Sequence, residues 1–206
     1  MSQPYTLLLR LDGPMQSWGY RSRFDYRDTA LEPTRSGVIG MICAAMGIAR
    51  GEDIKRFDEL RMGVRVDKKG RPERDYHTAL NVVKANGSGV GTVVSYRDYL
   101  ADASFTVGLQ SENKELIEDV AKSLRTPAWF LFLGRKAFPL ATPLLGPGDR
   151  PKAGTLEEHL LSGDSNRRVV LEMPGGERTQ HDWPLCFRER RFKPRAIGTR
   201  FTGGTP

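Results

Sequence analysis

Two cysteines in 206 residues, Cys43 and Cys186, leave nothing for a disulfide framework or a thiolate metal cluster. One lies in an apolar, helix-like run and the other beside Leu185 and Phe187, so a reducing compartment is expected. The three histidines, His77, His159 and His181, have no metal-ligand spacing with either cysteine or with one another, and no metal is assigned. P-loop, nucleophile-elbow and dinucleotide fingerprints are missing, so no cofactor is expected. No apolar run approaches the roughly 18 residues of a helical membrane span. Met1 to Tyr5 lacks the charged-then-apolar layout of a signal peptide. A cytoplasmic protein without a membrane partner is the expectation.

Positive charge is what the chain has in excess. Its formal net charge is +7, its sequence pI is about 9.6, and 23 of its 32 basic residues are arginine. Arginine grips phosphate with a planar fork and stacks on bases, whereas lysine acts as a hydrated point charge. Nucleic acid is therefore the favoured partner, with a membrane surface or an acidic protein left open by charge alone. Hydrophobic residues make up 38% and charged residues 28%, as in a folded globular chain. The length suits one core with an appendage and leaves no room for a separate cofactor domain.

Periodicity gives an α+β order. Tyr5, Leu7, Leu9 and Leu11 alternate as a first strand whose second face is also mostly apolar. SGVIGMICAAMGIAR, from Ser36, reads as a buried, closely packed helix rich in small residues. Leu60 to Asp67 and Ala103 to Leu109 alternate as half-buried strands. Between these two strands, Val82-Val83, a loop with Gly87, Gly89 and Gly91, and Val93-Val94 suggest a protruding hairpin. NKELIEDVAKSLR is an amphipathic helix ended by Pro127, and Phe138 to Leu145, interrupted by Pro139 and Pro143, is expected to be an edge strand. Strand, helix, strand, strand, helix, strand is the ferredoxin-like (RRM-like) arrangement, here with an inserted hairpin. The expected division is a domain over 1–149 and a C-terminal extension over 150–206, with a strand from Arg168 to Met173 and a basic tail from Phe187 to Arg200.

Several motifs carry two readings each. Gly13-Pro14-Met15-Gln16-Ser17-Trp18-Gly19 is either a base-contacting loop or a tight turn with Trp18 folded onto the core. Arg21, Arg23 and Arg27 among Tyr20, Phe24 and Tyr26 resemble a single-strand binder's tract or a solvated loop. At the mouth of the small-residue helix, Arg35 and Ser36 are placed to hold an anion, or else form a capped helix start with an incidental arginine. Gly134-Arg135-Lys136 is a basic, glycine-led turn through which backbone can approach phosphate. His77, beside Tyr76, is a candidate general acid or base or a hydrogen-bonded structural residue.

LLLRLDGPMQSWG, PTRSGVIGMICAAMGI, RDYHTAL, YRDYLADASFTVGL and FLGRKAFPLATPL, in that order, resemble the corresponding blocks of the CasD family of type I-E CRISPR Cascade. The resemblance covers most of residues 5–145. It implies a ferredoxin-like palm of the repeat-associated RNA-binding superfamily with a hairpin thumb at about Leu80 to Tyr99. It also implies a non-catalytic subunit that caps the 5′ handle of the crRNA, touches the Cascade backbone subunit through its thumb and borders the large subunit. Target DNA is then engaged mainly through the assembled complex, its sequence being read by guide pairing. By this mapping Gln16, Ser17, Trp18, Arg21, Arg23, Arg35, Ser36, His77, Lys84, Arg97, Gly134, Arg135 and Lys136 are expected to bind RNA. Related subunits of another subtype cleave repeat RNA without metal, and Tyr76, His77 and Lys136 are the trio this chain offers for that alternative.

Overall fold

A computed structural model describes residues 3–19, 25–163 and 165–203. The alternating apolar segments form β1 (Tyr5–Asp12), β4 (Arg61–Lys68) and β7 (Ser104–Ser111). β7 lies in the middle, antiparallel to both, with Leu9 opposite Val107 and Val64 opposite Val107 from the other side. Helices α1 (Arg35–Met46) and α2 (Lys114–Arg125) cover the face carrying Leu7, Leu9, Leu11, Met62, Val64, Phe105, Val107 and Leu109. Asn113 caps α2 by accepting from the Leu116 amide.

The apolar second face of β1 is explained by the other side of the sheet. Leu8 packs there against α3 (Leu156–Leu160), together with Val169 and Leu171. Gly63 and Gly108 open the space: a Cβ on either would come within 2.7 Å or less of Leu160 or Leu156, respectively.

The small residues of α1 likewise make room for specific partners. Trp18 lies on Gly37, the Phe187 ring on Gly40 and Ala128 on Gly47. The helix starts slightly before the expected position, with Thr34 as N-cap accepting from the Gly37 amide.

Two sequence expectations are corrected. Residues 126–151 contain no strand. The Phe138–Leu145 stretch does reach the edge of β1, where Ala141 N–H donates to the Asp12 carbonyl and Leu144 accepts from Arg10 N–H, both at 2.9 Å. Pro139 and Pro143 have no N–H to extend these two bonds into a ladder. The edge is completed instead by β8 (Lys152–Ala153), paired with Tyr5 and Thr6.

The second correction concerns the basic run from Phe187 to Arg200, which is mostly strand and not a tail. β9 (Arg168–Glu172), β10 (Arg178–Cys186) and β11 (Arg191–Phe201) continue the sheet beyond β4. The resulting seven-stranded order is β10-β11-β9-β4-β7-β1-β8. In β11 Arg195 and Ile197 are buried, while Arg191 and Lys193 towards the start of the strand and Arg200 near its end remain at least partly in water.

A second sheet stands on the first. β5 (Arg71–Val83) and β6 (Val90–Ala101) form a long antiparallel hairpin starting at Arg71, well before the expected Leu80. Beside β6 lie β2 (Met15–Gln16), antiparallel, and β3 (Tyr26–Arg27), parallel. The architecture is mixed α+β and mainly antiparallel. Among the described residues no helix is long and apolar enough to cross a membrane, and no group of three or more His, Cys, Asp or Glu could hold a metal.

Candidate nucleic-acid interface

The pairing register of the hairpin sorts its side chains. Asp75 opposes Arg97, Tyr76 opposes Tyr96 and His77 opposes Ser95, while β3 sets Tyr26 beside Tyr96 and Arg27 beside Arg97. Successive residues of a strand point to opposite faces. One face therefore carries Tyr26, Arg74, Tyr76, Tyr96 and Asp98, and the other Arg27, Asp75, His77, Ser95 and Arg97.

The first face is aromatic and internally paired. Arg74 Nε donates to Asp98 Oδ1 at 2.6 Å, and Tyr26 O–H donates to Asp98 Oδ2. The Arg74 guanidinium lies 5.2 Å from the Tyr26 ring centroid, and Tyr76 meets Tyr96 edge-on at 5.5 Å. The bond from Arg74, joined by that from Tyr26, outweighs partial burial and holds the Asp98 carboxyl below its usual range. The same acceptor raises the Tyr26 phenol.

The second face is cationic and poorly compensated. The Gly134 turn brings Arg135 over the base of β6, where Nη2 donates to the Asp98 carbonyl at 2.8 Å. Burial pulls the Arg135 guanidinium below its ordinary pKa, and Arg97 and Arg27 pull it further. Three arginines thus sit close enough to repel. Among the described residues the Arg27 guanidinium has no hydrogen-bond or ion-pair partner, and Arg97 bonds only the Ser95 hydroxyl, at 3.0 Å. Asp75 tempers the cluster and also lies 3.4 Å from His77 Nδ1. An anion bridging the three guanidiniums would relieve their repulsion. Lys136 is exposed next to Arg135.

The remaining expected residues lie elsewhere or inside. Gln16 is fully buried. Its amide donates to the Leu11 and Ala103 carbonyls at 3.1 and 2.8 Å, and its oxygen accepts from Trp18 Nε1 at 3.1 Å. Trp18 is folded onto the core, the second of its two readings. Ser17 is buried beneath the turn, its amide donating to the Leu133 carbonyl and its hydroxyl to that of Asp98. Gly134 has φ +88°, and any Cβ there would overlap the Ser17 carbonyl.

Arg35, expected at phosphate, is only 1% exposed. Its guanidinium donates to the carbonyls of Leu60 and Phe57 at 2.6 and 2.8 Å and to Glu172 at 3.1 Å, and stacks 3.6 Å over Trp183. The anion at the mouth of α1 is Asp182 of β10, which accepts from the Arg35 amide at 2.7 Å and is clamped by Arg195 through two bonds. Ser36 contacts the Thr34 hydroxyl. Lys84 is at the hairpin tip, about 30 Å along the strands from the level of Arg97 and Asp75 at ~3.3 Å per residue. Arg21 and Arg23 lie outside the described residues.

In the trio named for the cleavage alternative, Tyr76 and His77 do not converge. Tyr76 and His77 are neighbours in β5 and face opposite ways. Arg74 and Tyr96 carry no signal in a lone strand, and Arg27 stands out only as part of a basic tract; the alternation of RDYH against SYRD is the pattern that pairs them.

Residues 6–198 match the family described as CRISPR-associated protein (Cas_Cas5). The chain belongs to the Cas5 family. It is 32% identical to the CRISPR system Cascade subunit CasD of Escherichia coli K12, over 92% of each chain. A chain from a solved CRISPR RNA-guided surveillance complex superposes with a TM-score of 0.82 at 34% identity, covering 96% of this chain and 90% of that one. A crystal structure of a Cas protein superposes at 0.76 with 37% identity, over 98% and 100%. The resemblance carried by the five sequence blocks thus extends through β9, β10 and most of β11 of this Cas5-family chain.

Proposed function

We propose that the chain is a non-catalytic subunit of a type I-E Cascade surveillance complex, binding the 5′ handle of crRNA at the base of its hairpin. The observation that carries this reading is the poorly compensated cluster of Arg27, Arg97 and Arg135, with Lys136 beside it. Arginines forced together by backbone pairing and a glycine turn, with few protein acceptors, suit a ligand of several phosphates. Gln16, Ser17, Trp18 and Arg35 then act as supports, setting the turn and helix that carry the site.

The strand order β8-β1-β7-β4 with α1 and α2 on one face fits a ferredoxin-like palm. The hairpin is its thumb. Leu80, Val83, Val90 and Val93 are exposed along it, which suits a protein partner, the Cascade backbone subunit, more than RNA phosphate. The large subunit borders this assembly, and target DNA is engaged through the complex as a whole. The divergent directions of Tyr76 and His77 speak against a cleavage site. Intact repeat RNA after hours with the chain is the expected result; cleavage abolished by His77→Ala would reverse the non-catalytic reading.

The direct test is RNA affinity against salt for Arg27→Ala, Arg97→Ala and Arg135→Ala. Removing one phosphate-binding arginine should flatten the slope of log affinity against log salt by about 0.7. Three unchanged slopes would overturn the site.

A further inference from the structure

The interface above lies by the N-terminal end of α1, where Trp18 covers Gly37. Two other segments are pinned to the opposite end, a helix length of about 18 Å away for 12 residues. The amides of Ala128 and Trp129 donate to the carbonyls of Ala45 and Ala44 at 2.8 and 3.2 Å, and the Arg188 amide to that of Arg50 at 2.9 Å. Phe187 anchors the second segment on Gly40. The two segments thus flank the last turns of the same helix.

Several of their side chains point into solvent. Phe130 is 97% exposed and Trp129 49%. Arg50, Arg188 and Arg190 are exposed, and among the described residues none has an ion-pair partner. Arg56 on the neighbouring surface, by contrast, is compensated by Asp119 at 3.3 Å.

We propose that this end of α1 is a second nucleic-acid site that takes a single strand, with Trp129 and Phe130 stacking on bases and Arg50, Arg188 and Arg190 holding phosphates. Two exposed rings and three arginines without an ion-pair partner, on segments bonded to the same end of one helix, match a short single strand, whose bases offer faces and whose backbone offers regularly spaced charge. A protein interface of standard size needs a broad apolar centre. Here Leu131, the next apolar residue, is already packed against the core.

Tryptophan emission reads this site in the full chain. Trp18 is 1% exposed, and Trp183 is sandwiched by Arg35 and Lys193, so stacking quenches Trp129 selectively. The probes are an oligouridylate and an oligothymidylate of about six nucleotides, which separate RNA from DNA as the source of the strand. Quenching by at least one is expected, and it should survive the combined Arg27→Ala, Arg97→Ala and Arg135→Ala variant. Phe130→Ala should weaken binding about tenfold. The combined Arg50→Ala, Arg188→Ala and Arg190→Ala variant should flatten the salt slope by roughly 2. Absence of quenching by both probes overturns the proposal, as does quenching that disappears with the first arginine set. If the second arginine set leaves quenching intact but blocks entry into the assembled complex, the surface docks protein and the proposal fails.

Discussion

The Ser17 carbonyl occupies the space that a side chain on residue 134 would need, so Gly134 is the only residue that closes the turn carrying Arg135. Its φ of +88° independently disfavours any Cβ. Gly134→Ala is expected to cost about 1–3 kcal/mol from backbone strain alone, with Ser17 displaced in addition. Because Ser17 and Arg135 share the Asp98 carbonyl as acceptor, RNA affinity should fall with stability. Urea unfolding and RNA titration of the same variant check both effects.

Arg35 gives a contrasting expectation. Arg35→Ala takes the guanidinium donor from the Leu60 carbonyl, leaves Phe57 only the Leu60 amide and Glu172 only Arg195 at 3.7 Å and the Met62 amide, and unstacks Trp183, a loss of about 3–5 kcal/mol for a buried pair broken on one side. The melting temperature should drop sharply while the salt slope of RNA binding stays at the parent value. A flattened slope in protein that remains folded would place Arg35 on phosphate after all.

Asp98 supplies a pH dependence whose sign follows from its lowered pKa. A depressed carboxyl stabilises the fold above its unfolded value of about 3.9 and loses that contribution as pH falls through the folded value. Asp98→Asn should therefore melt lower than the parent near neutrality, with the gap closing in acid. Melting curves of both proteins from neutral pH to well below about 3.9 test this, and a constant gap would contradict it.

The hairpin should separate folding from assembly. Leu80 and Val83 are 70% and 73% exposed, so Leu80→Ser with Val83→Ser should change stability by no more than about 0.5 kcal/mol each. Recovery in a co-purified complex should nevertheless fall. Undiminished recovery would remove the apolar hairpin from the assembly contact.

Periodicity located β1, β4, β7 and α2 almost to the residue. Each buries one face against a continuous core, and that requirement is written locally as alternation or as helical spacing. The five sequence blocks carried the family. The small residues of α1 announced close packing without naming Trp18, Phe187 or Ala128 as the groups that fill it.

The sites were less legible, because an arginine looks the same in a sequence whether it meets phosphate or a carboxylate far along the chain. Arg35 turned inward because β9 and β10, more than 130 residues later, deliver Glu172 and Asp182 to it. Arg27, Arg97 and Arg135 became one cluster because parallel pairing of β3 with β6 and the turn at Gly134 brought three distant segments together. Burial and mutual repulsion of charges are properties of position in space, and for this chain long-range strand pairing and the packing of the Gly134 turn on Ser17 set those positions.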